Sequence, residues 1–325
     1  MNEQEQIFAR VGGAYDLDLM ANSRLVVVGC GGSRSFIEEA ARIGLGEIVL
    51  IDPDTASMTN IGTQACFISD VNQPKVDVIA NRLRDINPNV VVQTRQARFE
   101  DIQLADLELL LKGAWAGRAA PRQTLLALKT DNFEAQAHGN RVALHFGIPA
   151  IAAQVYQNGF GGEITFTHPD TTPACQRCAL ESRYSAYLNG YKNQVTSHAT
   201  PIYATSRINS LCGLVMLTIL HHGSDHPRWK GMLEKIGNRN LIQMKLWPDF
   251  NMPVFDRVYG GAQQECLFFD NTVWLAQQPD HPESNGFPAC PDCGGVGDLN
   301  HARNSFHNDL YTMRTSPMPT ETQQE

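Results

Sequence analysis

Four cysteines of this chain have the type and spacing to bind a metal ion. They form two C-x-x-C pairs, Cys175 with Cys178 and Cys290 with Cys293. Each pair can present two thiolates to one ion, and two pairs complete a tetrahedral four-cysteine zinc site. A full shell of four thiolates leaves no open position for a substrate, so the predicted Zn²⁺ is structural. About 110 residues separate the pairs, where a compact zinc ribbon has roughly 20, so the ion would tie the end of the chain to its middle.

A glycine-rich turn is the second place where chemistry is indicated. Gly29, Gly31 and Gly32 follow an apolar run and precede a helical pattern. Such a turn lets phosphates approach the backbone, and a helix N-terminus favours their negative charge. Asp52 ends the next apolar run, where a carboxylate can accept hydrogen bonds from ribose hydroxyls. These features alone suit a dinucleotide-dependent dehydrogenase equally well. Arg34 stands where the fingerprint has its third glycine, and it adds either bulk or a donor for phosphate.

The elements that must position these residues alternate along the first half of the chain. The predicted strands cover 24–32 with its glycine turn, 47–51, 90–92 and 124–128, and the predicted helices cover 33–43, 75–86 and 134–146. This alternation predicts a doubly wound, mostly parallel α/β sheet of the Rossmann-like type.

The second half has a mixed pattern. A hairpin is predicted from strands 148–156 and 163–167, a long apolar helix from 203–222, and short strands within 240–275. The complete prediction is therefore a Rossmann-like α/β sheet with a mixed C-terminal half and a four-cysteine zinc site.

The overall charge and composition exclude some classes of protein. Lysine and arginine number 26 against 34 acidic residues, a net charge of −8, and this disfavours a nucleic-acid partner. We expect no membrane span, because no apolar run approaches about 18 residues. The polar, acidic N-terminus is unlike a signal peptide, so a cytoplasmic location is expected. In that compartment the eight cysteines are reduced thiols or metal ligands. The histidines at 221, 222, 226, 301 and 307 have no ligand spacing, and we expect them at the surface.

The order of several short motifs carries a resemblance to a known family. Asp52 and Asp54 flank a proline, Asn60 opens Asn-Ile-Gly-Thr-Gln, Lys75 ends Gln-Pro-Lys, and Asp131 lies within Thr-Asp-Asn. Together with the glycine turn and the two late cysteine pairs, this order resembles the ThiF/MoeB/HesA family of ubiquitin-activating-enzyme-like adenylyltransferases. The resemblance covers roughly residues 8–180 and 288–295.

The resemblance implies an activity and its partners. ATP would react with a C-terminal carboxylate, most often that of a small ubiquitin-fold protein ending in Gly-Gly, giving an acyl-adenylate and pyrophosphate. It also implies a homodimer. It further implies one adenylation domain over residues 1–311, with a nucleotide-binding half (1–168) and a zinc-stapled half (169–311) that includes a crossover segment. We expect residues 312–325 to be a disordered tail.

The resemblance also implies roles for single residues. Gly29, Gly31, Gly32 and Asp54 would belong to the nucleotide site, Asp52 would bind the ribose, Asn60 and Lys75 would contact phosphates, Asp131 would hold Mg²⁺, and Arg10 would reach the triphosphate across a dimer interface.

Two features depart from the family pattern. Thr63 stands where the family has an arginine on the ATP phosphates, so either another cation such as Arg34 substitutes or adenylation is slow or lost. No cysteine lies between 179 and 211, where relatives carry a thioester-forming cysteine. We expect Cys212 to be buried and inert, none of the cysteines outside the pairs to have an immediate cationic neighbour, and Cys266 to be the best remaining candidate nucleophile.

Three alternatives stay open. The substrate carboxylate could belong to a peptide or to a non-protein molecule. Thr63 and Arg34 could mark a non-catalytic member that binds nucleotide or a ubiquitin-fold partner as a scaffold. A dehydrogenase would explain the glycines and Asp52, but it leaves Asn60, Lys75 and the cysteine pairs unexplained.

Overall fold

One sheet organises the computed structural model, which describes residues 3–115, 117–191, 199–259, 271–280 and 289–300. Within these residues the strands are β1 (Ser23–Val28), β2 (Glu47–Ile51), β3 (Val91–Arg95), β4 (Gln123–Leu128), β5 (Ala150–Val155), β6 (Gly161–Thr167), β7 (Leu241–Lys245) and β8 (Asn271–Leu275). Their order across the sheet is β3-β2-β1-β4-β5-β6-β7-β8. The first five are parallel, and β6, β7 and β8 join antiparallel. This is the predicted Rossmann-like sheet with a mixed second half.

Helices cover both faces of the sheet. They are α1 (Glu3–Phe8), α2 (Leu17–Ala21), α3 (Arg34–Arg42), α4 (Lys75–Ile86), α5 (Leu104–Lys112), α6 (Phe133–Phe146), α7 (Gln176–Ala179), α8 (Glu181–Leu188), α9 (Ile202–Leu220), α10 (Met232–Ile236) and α11 (Pro253–Tyr259). Short 3-10 turns lie at Met58–Asn60, Ile68–Asp70, Phe99–Asp101 and Gln157–Gly159.

Strand β1 shows why the central strands are apolar at every position. Leu25 and Val27 pack into the core formed with α3, α4 and α9, whereas Val26 and Val28 pack into the core formed with α5 and α6. A strand that is buried on both faces cannot alternate apolar and polar residues. The parallel strands also run in one direction. They therefore end at the same edge of the sheet, and the loops that follow them come together there.

Most predicted elements are confirmed, two of them with the same bounds, β2 and α4. The hairpin β5–β6 is confirmed as an antiparallel pair. One prediction is wrong: α11 is a helix inside the region expected to hold only short strands. Pro253 occupies its first position, where the fixed φ suits a helix and the missing N–H costs nothing. β-branched and aromatic residues favour strands in short windows, but Val254 and Phe255 are buried within this helix.

The histidine prediction is also partly wrong. His221 is fully buried, and its Nε2 accepts the backbone N–H of Asp16 at 3.0 Å. His222 and His226 are half-buried, while His301 and His307 lie outside the described residues. His221 thus anchors the N-terminal segment to the end of α9.

Helix α9 has the length and hydropathy of a membrane span, although no such segment was expected. Half of its most apolar window is buried within the molecule. Ile208 and Val215 belong to the main core, as in the core helix of a globular fold.

Candidate functional site

A cleft of about 570 Å³ lies at the edge where the parallel strands end. Seven of the predicted site residues line it: Gly29, Gly31, Gly32, Asp52, Asp54, Lys75 and Asp131. They come from the ends of β1, β2 and β4 and from the start of α4. Four separate stretches of sequence are thus brought together at the carboxyl edge of the parallel strands.

The glycine turn could not carry side chains without moving its neighbours. Gly29 has φ +88°, and a Cβ there would lie 2.7 Å from the backbone nitrogen of Thr130. A Cβ on Gly31 would lie 2.5 Å from Oε1 of Gln64. Gly32 has more room, since the nearest atom to its Cβ is 3.7 Å away. Gly29 is therefore required by both conformation and space, and it lets β1 and β4 end side by side.

Asp52 holds the glycine turn in place from β2. Its Oδ2 accepts the N–H of Cys30 at 2.6 Å, and its Oδ1 accepts the N–H of Asp54 at 2.8 Å. Burial raises the pKa of Asp52, and these two backbone hydrogen bonds oppose the rise by stabilising the charged form. Asp52 lines the cleft, and each of its oxygens can accept one further hydrogen bond.

Lys75 is a buried cation beside this carboxylate. Its Nζ donates to Oδ2 of Asp54 at 2.9 Å, and its side chain is 8% exposed whereas that of Asp54 is 62% exposed. Burial alone would lower the pKa of Lys75, but the hydrogen bond to Asp54 and the charge of Asp52 outweigh it and raise the pKa. Lys75 is therefore positively charged at neutral pH, and its partner can turn to solvent.

Asn60 is not brought to the cleft. Its Oδ1 accepts the backbone N–H of Ser57 at 2.9 Å and the Ser57 hydroxyl at 3.1 Å, which caps the turn at Met58–Asn60. The expected phosphate contact of Asn60 is therefore not part of the described cleft lining. Thr63, three residues on, does line the cleft, and its hydroxyl is buried without a hydrogen-bond partner.

The two expected arginines also lie away from the cleft of this chain. Arg34 is buried in a different place, where it donates to Asp70 at 3.0 Å and to Glu38 at 3.1 Å. It is used in packing α3 and does not substitute for the arginine missing at Thr63. Arg10 follows α1 and is exposed.

The segment that follows the first cysteine pair covers the cleft. We call the described parts of residues 179–289 the crossover segment; it contains α8 and α9. Arg183, Tyr187 and Asn209 of this segment line the cleft. Asn209 donates to the backbone oxygen of Gly32 at 2.7 Å, and Arg183 forms an ion pair with the buried Glu163. Sequence motifs missed these residues because only the return of the chain over the sheet places them there.

Two findings concern the possible nucleophiles. Cys212 is buried as expected, but it does have a cationic neighbour, because Lys129 donates to its sulfur at 3.1 Å. Burial and the nearby Asp52 raise the pKa of the Cys30 thiol well above its usual value, which makes it unreactive. Cys266 lies outside the described residues.

The four paired cysteines meet at one buried point, which we call the cysteine cluster. Their sulfur atoms all lie within 4.8 Å of one another, with Cys175 at 3.7 Å from Cys290 and Cys178 at 3.5 Å from Cys293. Four sulfurs at about 2.3 Å from a tetrahedral zinc ion would be roughly 3.8 Å apart. The separations therefore fit a Zn²⁺ ion and are far too long for disulfides.

Asp292, between the last two cysteines, reinforces the cluster. Its side chain is 1% exposed and lies 3.1 Å from both Arg141 and Arg177, and Asn140 donates to it at 2.9 Å. The second cysteine pair is thus joined to α6 and to the first pair by charge-assisted hydrogen bonds as well.

Comparison with known proteins gives a family match over most of the chain. The model of the ThiF family matches residues 2–244. Among curated proteins, the SAMP-activating enzyme E1 of Haloferax volcanii is 30% identical over 161 residues, which cover 49% of this chain and 54% of the relative. The sulfur carrier protein ThiS adenylyltransferase of Escherichia coli is 29% identical over 161 residues, covering 49% and 59%.

A shorter sequence match and a match to a solved structure were also found. The tRNA threonylcarbamoyladenosine dehydratase of Bacillus subtilis is 44% identical over 82 residues, covering 25% of this chain and 32% of the relative. This chain therefore spans between about a third and three fifths of the lengths of these curated relatives. A crystal structure of E. coli MccB with ATP superimposes with a TM-score of 0.52 at 21% identity, covering 73% of this chain and 64% of MccB. At that identity the likeness concerns the fold.

Proposed function

Because this chain belongs to the ThiF family, we propose that it adenylates the C-terminal carboxylate of a protein or peptide with ATP. The observation that carries the proposal is the convergence of the glycine turn, Asp52, Lys75 and Asp131 on one cleft. We further propose a small ubiquitin-fold protein ending in Gly-Gly as the substrate. Two relatives are named for the activation of SAMP and for the adenylation of the sulfur carrier protein ThiS, which supports a small-protein substrate.

In the proposed reaction the glycine turn and Asp52 position the nucleotide. The N–H groups of Gly29 and Cys30 are bonded to Ile51 and Asp52, so those of Gly31 and Gly32 would meet the phosphates, near the start of α3 where the helix dipole favours negative charge. The remaining lone pairs of Asp52 would accept hydrogen bonds from the ribose hydroxyls. Because two backbone N–H groups already fix this carboxylate, it needs no reorganisation when ATP binds.

Lys75 would stabilise the charge that develops during the reaction. A carboxylate oxygen attacks the α-phosphorus, a new P–O bond forms, and the bond to the bridging oxygen breaks with release of pyrophosphate. The α-phosphate oxygens gain negative charge in this step, and a buried ammonium group acts strongly there because the local dielectric is low. The exposed Asp54 can yield its place beside Lys75 to a phosphate.

Asp131 at the end of β4 is the proposed ligand of Mg²⁺. Carboxylate oxygens are the ligands that this ion prefers alongside phosphates and water. Bound Mg²⁺ would neutralise charge on the leaving pyrophosphate. Thr63 brings no charge to the cleft. Among the described lining residues, the positive charge of the cleft comes from Lys75, Arg98, Lys129 and Arg183.

Two further features belong to the proposal. We propose that Zn²⁺ in the cysteine cluster is structural, since the four thiolates complete its shell. We also propose that the chain acts as a homodimer in which Arg10 reaches the partner's cleft, which is compatible with its exposure here.

The test is ATP–pyrophosphate exchange with the purified full chain. Candidate Gly-Gly-ended proteins and peptides are added one at a time, and one of them is expected to start exchange. Asp131→Ala should reduce exchange at least 100-fold, which corresponds to about 2.7 kcal/mol of lost transition-state stabilisation. The matched control is Asp77→Ala, an exposed carboxylate in the first turn of α4 outside the cleft, and it should leave exchange unchanged.

Other results would contradict the proposal. Tight ATP binding without exchange for any candidate would favour a nucleotide-binding scaffold. Exchange that survives Asp131→Ala unchanged would remove this residue from the mechanism. Exchange with peptides but with no small protein would refute the ubiquitin-fold substrate and keep the adenylation.

A further inference from the structure

A second group of metal-ligating side chains lies outside the cleft and outside the cysteine cluster. His168 and Asp170 lie in the loop between β6 and the first cysteine pair, and His222 follows α9. One possible ligand atom from each of the three residues lies within 4.8 Å of those of the other two. Sequence spacing could not show this group, because 54 positions separate the two histidines and only the return of α9 brings them together.

The contacts of His222 orient it as a ligand. Its Nδ1 lies 3.1 Å from Oε1 of Glu234 in α10, while its Nε2 lies 3.9 Å from Oδ2 of Asp170. Nδ1 is buried and makes no hydrogen bond in this geometry, and a small rotation toward the carboxylate would let Nδ1–H donate to it. That would leave the lone pair of Nε2 for a metal, as in carboxylate–histidine–zinc arrangements. The distance of 3.9 Å is too long for a hydrogen bond.

That distance is close to what a bound ion requires. A nitrogen and an oxygen at about 2.0–2.2 Å from one tetrahedral ion lie roughly 3.4 Å apart. Asp170 is 65% exposed and can move by the half ångström needed. The ring centroids of His168 and His222 are 4.5 Å apart at 72°, and one nitrogen of each ring is close enough to the other to reach a shared cation.

We propose that His168, Asp170 and His222 form a second site for a divalent cation of the Zn²⁺, Co²⁺ or Ni²⁺ class, oriented by Glu234. Imidazole with one carboxylate is the donor set that these ions prefer over Mg²⁺ or Ca²⁺. Three protein ligands leave at least one coordination position for water. The ion would join the end of α9 to the loop that leads into the cysteine cluster. Glu234 would extend this link to α10 through its contact with His222.

The present contacts of His168 limit the affinity. Its Nδ1 accepts the N–H of Asp170 at 3.2 Å, so the neutral ring carries its proton on Nε2. A cation must displace either this hydrogen bond or this proton. A lost hydrogen bond of about 1 kcal/mol lowers the affinity roughly fivefold. We therefore expect weaker binding here than at the cysteine cluster, whose four ligands are already gathered.

The test is a cobalt titration of the full chain after dialysis against EDTA. Wild-type protein should bind one equivalent in addition to the metal of the cysteine cluster. Co²⁺ at this second site should show weak visible bands without the near-ultraviolet thiolate charge-transfer band that marks the cluster. Isothermal titration with ZnCl₂ gives the affinity independently.

Variants decide the assignment. His222→Gln and Asp170→Asn should each weaken the additional binding at least tenfold without changing the thiolate band. His226→Gln, the same substitution four positions along the chain, should leave both unchanged. The proposal is refuted if wild-type protein binds no additional equivalent, or if neither His222→Gln nor Asp170→Asn weakens it. Because the readout is metal binding, this outcome is independent of adenylation.

Discussion

Replacing Cys290 by serine tests the mechanical role of the cysteine cluster. The chain-entropy treatment of cross-links assigns about 5 kcal/mol to the closure of a loop as long as the 115 positions between Cys175 and Cys290. A serine hydroxyl is not a zinc ligand at neutral pH, and the cluster would keep three thiolates. We therefore expect Cys290→Ser to lose tightly bound zinc and about 5 kcal/mol of unfolding free energy.

The measurement combines metal analysis with urea unfolding. Purified wild type should contain one tightly held zinc per chain, released when the thiolates are blocked by a mercurial, and Cys290→Ser should contain much less. Cys66→Ser is the matched control, because Cys66 is a half-buried thiol outside the cluster. It should keep the zinc and the stability of the wild type.

One result would refute the reasoning. Asp292 is also bonded to α6 and to the first cysteine pair, so these contacts alone could hold the end of the chain. In that case Cys290→Ser would keep its unfolding free energy within about 1 kcal/mol, the scale of a typical hydrogen bond. Full zinc content in the same variant would show that the ion is bound elsewhere.

Two other predictions concern buried titratable groups. Asp52→Ala leaves the N–H groups of Cys30 and Asp54 without their acceptor. It should therefore lower the free energy of unfolding in urea by about 2–4 kcal/mol and the ATP affinity measured by calorimetry at least tenfold. Asp52→Asn keeps one oxygen acceptor, so an equal loss in that variant would contradict the explanation. Burial lowers the pKa of His138 from 6.5 to about 4, so the unfolded chain takes up this proton first, and stability present above pH 6.5 is lost as the pH falls towards 4. Between pH 7.5 and pH 5 the free energy of unfolding of the wild type should fall by up to about 2 kcal/mol more than that of His138→Gln. If urea unfolding shows the same fall for both proteins, His138 is not the cause.

The parts of the site that sequence could predict are those fixed by short-range physics. A glycine with φ +88° beside a neighbouring strand, and a carboxylate one strand away that holds the turn, are dictated by the local geometry of parallel strands. The cysteine pairs were predictable for the same reason, because C-x-x-C spacing alone points two sulfurs at one ion. Asn60 shows that a sequence motif does not fix the contacts of a side chain. The motif predicted a phosphate contact, but the side-chain oxygen of Asn60 caps its own turn.

The remaining parts depend on where distant segments return. Arg183 and Asn209 reach the cleft only because the crossover segment lies over it, and their neighbours in sequence give no sign of this. Lys129 beside Cys212 joins residues 83 positions apart. The helix α11 was missed because β-branched and aromatic residues favour strands in short windows, whereas packing decides their conformation.

Helix α6 connects the cysteine cluster to the cleft, and its length limits what a metal ion bound in the cluster could do. It begins beside Asn132, which lines the cleft, and it carries Asn140 to the cluster. Eight residues of helix span about 12 Å, so an ion in the cluster is too far away to touch a substrate phosphate. Its influence must pass through the positions of α6 and of the crossover segment, which begins directly after Cys178. Loss of the metal should therefore loosen the cover of the cleft and the fold together, and a variant that loses only one chemical step must be altered in the cleft itself.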